Sequence, residues 1–227
     1  MGRDVKILAA IAVIVVIGAI AGSYFYRSSV QSERKPVAPA AANASGGQLV
    51  REDSWTLGQA DAPVTVVEFY DPECESCAAF APSVKKVYND YAGKVRLVMR
   101  YMPLHKNSMT AATFLEAAGE QGKYWQAQEL LFRKQPEWGE KHGAAPDPNA
   151  PKINQLFDKY AMELGLDLER ASKSIQERRF IPKIDLDKKD GQGLGVKRTP
   201  TFYVNGRELA RLGEADLRAL IEEELKN

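Results

Sequence analysis

Cysteine is scarce in this chain: among 227 residues there are two, Cys74 and Cys77, separated by Glu75 and Ser76. With no third thiol the pair has nothing to mispair with, which suits an oxidising compartment. No second C-x-x-C exists to complete a four-cysteine zinc site. Histidine is equally scarce, and the spacing of the two present, His105 and His142, matches no usual zinc finger. An excess of either charge is missing as well. Lys and Arg number 31 against 30 Asp and Glu, a net charge of +1, so nothing electrostatic points to nucleic acid or to acidic substrates as a class. No internal repeat is visible.

What is present is organised around residues 64–77, V-T-V-V-E-F-Y-D-P-E-C-E-S-C. Val64, Val66, Val67 and Phe69 are β-branched or aromatic and follow Pro63, which predicts a buried strand. Asp71-Pro72 ends it and starts a helix, so both cysteines fall in the first helical turn. There, unpaired N–H groups and the positive end of the helix dipole favour thiolate over thiol, more strongly for Cys74 than for Cys77. Two intervening residues allow the sulfurs to close a small, reducible ring.

Ahead of that stretch, Arg3 and Lys6 precede an apolar run at 7–22, followed by Tyr24-Phe25-Tyr26 and Arg27. The 20 residues 7–26 approach the length that crosses ~30 Å of hydrocarbon. The basic flank places the N-terminus in the cytoplasm and the remainder outside. The competing reading is a cleaved signal peptide, with Ala19-Ile20-Ala21 as the cleavage site. Residues 28–50, rich in Ala, Pro, Ser and Gly, read as an extended linker. The expected organisation is therefore an anchor or signal at 1–27, a linker at 28–50 and a folded domain at 51–227. After the motif come a helix at 78–91, kinked at Pro82, and a strand at 94–101 parallel to the first. Helices then occupy about 106–190, among them one at 124–134 that gives way to a proline-rich loop at 136–151. A strand at 201–204, an Asn205-Gly206 turn, a partner at 207–211 and a final helix at 214–225 complete a βαβ…ββα order.

A lone C-x-x-C also admits a structural disulfide, half of a zinc site, or two thiolates on Cu(I). Two further features favour redox exchange. Glu68, flanked by apolar residues, is predicted to be buried near the cysteines, with a raised pKa suited to moving a proton. Pro200, in Thr199-Pro200-Thr201, sits at a strand entrance; if its bond is cis, the preceding backbone faces the cysteines and offers hydrogen bonds to a thiol-bearing peptide.

Together, Glu68-Phe69 six residues ahead of Cys74, the C-x-x-C and the segment Gly195-Val196…Thr199-Pro200-Thr201-Phe202…Val204-Asn205-Gly206 resemble the DsbA-like thiol–disulfide oxidoreductases. Pro103-Leu104-His105 with Asn107, and residues 120–125, extend the match. The resemblance implies a thioredoxin fold with an inserted helical domain, Cys74 as nucleophile, Cys77 as resolving thiol, Pro200 in cis, and substrate contacts at Thr199 and Thr201. No cofactor or metal is implied. The expected function is exchange of disulfides with exported protein thiols, assisted by a membrane redox partner, on the outer side of a bacterial inner membrane or in the periplasm after cleavage near Ala21. Cu(I) binding, and peptide binding without redox turnover, are the alternatives.

Two departures from the family bear on poise. Arg198 stands where Gly often precedes Thr-Pro, and Glu75-Ser76 replaces the Pro-His of the strongly oxidising members. Repulsion from Glu73 and Glu75 predicts a Cys74 pKa of about 5.5–7, closer to thioredoxin's than to those relatives'.

Overall fold

The computed structural model describes residues 47–140 and 152–227. The expected anchor or signal at 1–27, the expected linker as far as residue 46 and residues 141–151 of the expected loop, including His142, lie outside the described residues. Among the described residues no helix is long and apolar enough to cross a membrane.

The stretch that leads into the cysteines is the middle strand of a mixed five-stranded sheet. This strand, β2 (Val64–Tyr70), pairs in parallel with β3 (Val95–Tyr101) and antiparallel with β4 (Thr201–Val204). Two short edge strands, β1 (Trp55–Leu57) on β3 and β5 (Arg207–Glu208) on β4, give the order β1-β3-β2-β4-β5. The alternation of β2 decides its two faces. Val64, Val66 and Tyr70 join the larger core together with Cys77, Val84 and Val87 of helix α1 (Glu75–Asp90), the crossover from β2 to β3. Val67 and Phe69 face the other way, into a smaller cluster with Val98, Met102, Val196 and Tyr203. Each such fully buried apolar side chain stabilises the fold by about 1.5–3 kcal/mol.

Five helices separate β3 from β4: α2 (Ser108–Gly119), α3 (Tyr124–Trp138), α4 (Ile153–Glu163), α5 (Leu168–Gln176) and α6 (Ile181–Gly193). A last helix, α7 (Glu214–Glu224), buries Leu217 and Ile221 in the larger core. The β4–β5 turn uses positive φ at both Asn205 (46°) and Gly206 (88°), the geometry that an Asn-Gly hairpin turn requires.

The partner strand expected at 207–211 ends at Glu208. Three other boundaries differ from the expectation for tertiary reasons. The linker was expected to reach residue 50, yet Leu49 is buried in the smaller cluster, and the carbonyls of Gln48 and Leu49 both accept hydrogen bonds from Arg100 at 2.7 Å. Helix α3 continues past Lys134 and through Pro136 because Trp138 is buried and its indole N–H donates to the Leu131 carbonyl at 2.9 Å. Helix α6 continues through Gly191, where a Cβ would lie 3.0 Å from Met102 Sδ and 3.1 Å from Phe69. The glycine thus permits close packing of α6 on the sheet rather than ending the helix.

Candidate active site

The end of β2 delivers both cysteines to the start of α1. Asp71, Pro72 and Glu73 form a tight turn in which Cys74 N–H donates to the Asp71 carbonyl at 3.0 Å and Glu73 N–H to Asp71 Oδ1 at 2.8 Å. Cys74 is the N-cap of α1, and its carbonyl accepts the first helical bond, from Ala78 N–H at 3.1 Å. No side-chain oxygen caps this helix. The first-turn N–H groups, which Ser, Asp or Asn would satisfy at an ordinary N-cap, are left to the sulfur.

Both cysteines are free thiols, and both are buried. Cys74 retains 7% of its surface and Cys77 none, so Cys74 is the sulfur a substrate can reach. Cys74 Sγ donates to the Thr199 carbonyl at 3.3 Å. The Cys74 thiol is pulled down to about 5, chiefly by the hydrogen bond from the Cys77 side chain. Burial opposes this, while the Thr199 side chain and the N–H groups of Cys77 and Ser76 assist it. Cys77 is pushed well above the usual thiol range by burial, by its bond to Cys74 and by the charges of Glu68 and Cys74.

The value for Cys74 lies below the expected 5.5–7 because the hydrogen bond from Cys77, with those from Thr199 and the first-turn N–H groups, outweighs burial. Beside the sulfur stands Glu73. Its carboxylate is buried and accepts from Asn107 N–H, from Asn107 Nδ2 at 2.8 Å and from Glu140 N–H at 2.8 Å. Those donors clamp the active-site turn to the start of α2 and the end of α3.

Glu68 lies on the α1 face of β2, opposite Met99 on β3 and Phe202 on β4. It is 4% exposed, and its carboxyl has no hydrogen bond or ion pair among the described residues. Burial, and then the Cys74 charge, push it up to about 8. It opens onto a cavity of about 700 Å³ lined also by Ala78, Ala81, Met99, Gln128 and Phe132, where Gln128 Nε2 is buried and unpaired.

The segment before β4 completes the site. The Thr199–Pro200 peptide bond is cis, and Pro200 is buried. Thr201 Oγ1 donates to the Arg198 carbonyl at 2.8 Å, which occupies the hydroxyl within its own turn. The Arg198 side chain, next in sequence to Thr199, is exposed and engages no hydrogen bond or ion pair among the described residues. Glu75 and Ser76 are exposed beside Cys74 and line with it a second cavity, of about 480 Å³.

Residue-type reasoning passed over Asp71 as a site residue. Asp71 is fully buried, and its Oδ2 accepts from Leu104 N–H at 2.7 Å, from His105 N–H at 3.1 Å and from His105 Nδ1 at 2.7 Å. Its place directly before the motif was the available signal; the partner, 34 residues away, was not visible locally.

This arrangement has known counterparts. A family model described as thioredoxin matches residues 51–223. The oxidised form of BdbD from Bacillus subtilis superimposes with a TM-score of 0.67 at 28% identity, over 80% of this chain and 97% of that one. A thioredoxin-like oxidoreductase from Silicibacter pomeroyi gives 0.65 at 26%, over 82% and 99%. A curated relative, Na(+)/H(+) antiporter NhaA 3 of Salinispora tropica, is 37% identical over 153 residues, 66% of this chain but 21% of that protein. The chain thus spans about a fifth of the length of the curated relatives it matches. With its fold, its cysteine-capped helix and these similarities in view, the chain belongs to the thioredoxin family.

Proposed function

We propose that the chain is a thiol–disulfide oxidoreductase that exchanges disulfides with exported proteins through Cys74 and Cys77. The observation that carries this reading is the asymmetry of the pair at the start of one helix: hydrogen bonds to its sulfur draw Cys74 below neutrality, while Cys77 is buried and protonated. In the reducing direction, the Cys74 thiolate attacks a substrate disulfide; one S–S bond breaks, a mixed disulfide forms and a substrate thiolate leaves. Glu68 takes the proton of Cys77, whose sulfur then attacks the Cys74 side of the mixed disulfide. The second substrate thiol departs, and the enzyme retains a Cys74–Cys77 disulfide. Two electrons have passed to the substrate, and oxidation is the same sequence reversed.

A thiolate with a pKa of about 5 stabilises the reduced enzyme more than thioredoxin's does and less than that of the most oxidising relatives. The pair is accordingly a moderate oxidant, with a reduction potential between about −270 and −120 mV. Its substrates are extended segments of exported proteins, received along the Thr199–Thr201 edge. A membrane partner resets the pair, and the apolar run at 7–26 holds the domain at the outer side of a bacterial inner membrane. In insulin reduction and in a trapping experiment, Cys77→Ser is expected to accumulate mixed disulfides with client proteins and Cys74→Ser to accumulate none; the reverse pattern overturns the assignment. Copper bound tightly by a reduced protein that performs no exchange would favour the Cu(I) alternative.

A further inference from the structure

One titratable group beside Cys74 comes from neither the C-x-x-C dipeptide nor the cis-proline segment. His105, in the loop between β3 and α2, lines the same cavity of about 480 Å³ as Cys74. Its ring is held from behind: Nδ1 meets Asp71 Oδ2 at 2.7 Å, and that oxygen also accepts the N–H groups of Leu104 and His105. An ionised carboxylate only accepts, so Nδ1 keeps its proton and Nε2 is the nitrogen that titrates. Asp71 in turn anchors the cysteine turn through Glu73 N–H. One buried carboxylate therefore fixes the nucleophile's turn and the imidazole together.

We propose that His105 is the tuning cation of the Cys74 thiolate, an imidazolium delivered from the β3–α2 loop in a protein that has no histidine between its cysteines. This rests on the redox reading above and assigns a third residue to that site. The charged and titratable groups around the ring are Asp71, Glu73, Cys74 and Glu75 on the active-site turn and first turn of α1, Glu140 at the end of α3, and Lys106 on its own loop. Glu73 is engaged with Asn107 and with Glu140 N–H, which leaves Asp71 and the thiolate as the anions the imidazolium serves most directly. The balance of these influences agrees with the assignment: burial works against the charge on His105, but Asp71, Cys74 and Glu73 together lift its pKa above the ordinary value.

A coupling between two titrating groups is reciprocal. If the imidazolium favours the thiolate, the thiolate favours the imidazolium by the same factor, expected at about three- to tenfold in the equilibrium constant. The test follows the His105 ring proton by NMR across pH in the full chain, reduced, oxidised and as Cys74→Ser, with the His142 signal separated by means of His105→Asn. The expected result is a His105 pKa higher in the reduced protein than in the oxidised protein or in Cys74→Ser. In parallel, thiolate absorbance near 240 nm is expected to rise at higher pH in His105→Asn, by the same factor, and in His105→Gln. Asparagine retains a donor for Asp71 and loses the charge, so a merely structural histidine would leave the Cys74 titration of that variant at its wild-type position. Equal His105 pKa values in the two redox states, or an unmoved thiolate titration in His105→Asn, overturn the proposal. These readouts require no client protein, so failure of the exchange assay and failure of this coupling are separable results.

Discussion

The two faces of the sheet bury charge in opposite ways. On one face Arg100 is fully buried and completely engaged: Nε donates to Asp187 Oδ1 at 2.8 Å, Nη2 to Asp190 Oδ2 at 2.6 Å, and Nη1 to the carbonyls of Gln48 and Leu49. Arg51 adds a second guanidinium on Asp190, and Tyr101 N–H donates to Asp187 Oδ2 at 3.1 Å. On the other face Glu68 is just as deeply buried and has no hydrogen bond among the described residues. The paired cluster ties β3, α6 and the entering chain together. The unpaired carboxyl, pushed up to about 8, is poised to take or give a proton near neutrality. One arrangement holds the fold; the other is available for chemistry.

The strongest way to break this comparison is Arg100→Met. It leaves two buried carboxylates without their shared guanidinium and is expected to cost about 3–5 kcal/mol in urea denaturation at pH 7. The loss should shrink toward pH 4, where the orphaned carboxyls can protonate. Asp187, which burial already raises against the pull of Arg100, should be the first to do so.

Glu68→Gln is the complementary change, with the opposite sign. A carboxyl whose pKa is raised by folding contributes stability below about 4.5, its unfolded value, and loses it as pH rises toward about 8. Removing its ionisation should therefore stabilise the reduced protein at pH 7 by about 2–4 kcal/mol and change little at pH 4. Exchange should suffer as the fold gains, because resolution by Cys77 loses its base; a rate loss of about 10²-fold in single-turnover kinetics is expected. A Glu68→Gln protein with unchanged stability at pH 7 would show that the carboxyl is ionised and paired after all.

The smallest effect sharpens the electrostatics around the nucleophile. Glu75 is exposed beside Cys74 and lacks the clamp of donors that Glu73 has. Glu75→Gln should lower the Cys74 pKa by less than one unit and raise the reduction potential by at most some tens of millivolts. Potentials measured against glutathione check this.

The strand-turn-helix unit, the parallel β2–β3 pair, the Asn205-Gly206 turn and burial of Glu68 were all legible, because each rests on a local pattern or on one residue out of place. What escaped the reading was set at long range. Trp138 and Leu131 carry α3 through Pro136, and Phe69 and Met102 give Gly191 its place inside α6; no window of sequence contains both members of either arrangement. The same holds at the site. Glu73 read locally as a repelling charge, and only the approach of Asn107 and the Glu140 backbone turns it into a clamp.

The central claim is that hydrogen bonds to its sulfur lower Cys74 while burial raises Cys77, leaving Cys74 ionised and Cys77 protonated at neutral pH. Thiolate absorbance of the reduced protein, titrated from pH 3 to 11 in wild type and Glu68→Gln, tests it directly. One thiolate should appear near pH 5, and a second well above the ordinary thiol range should move down when the Glu68 charge is removed. Two thiols titrating together between about pH 8 and 9, at the value of an unperturbed cysteine, would contradict it.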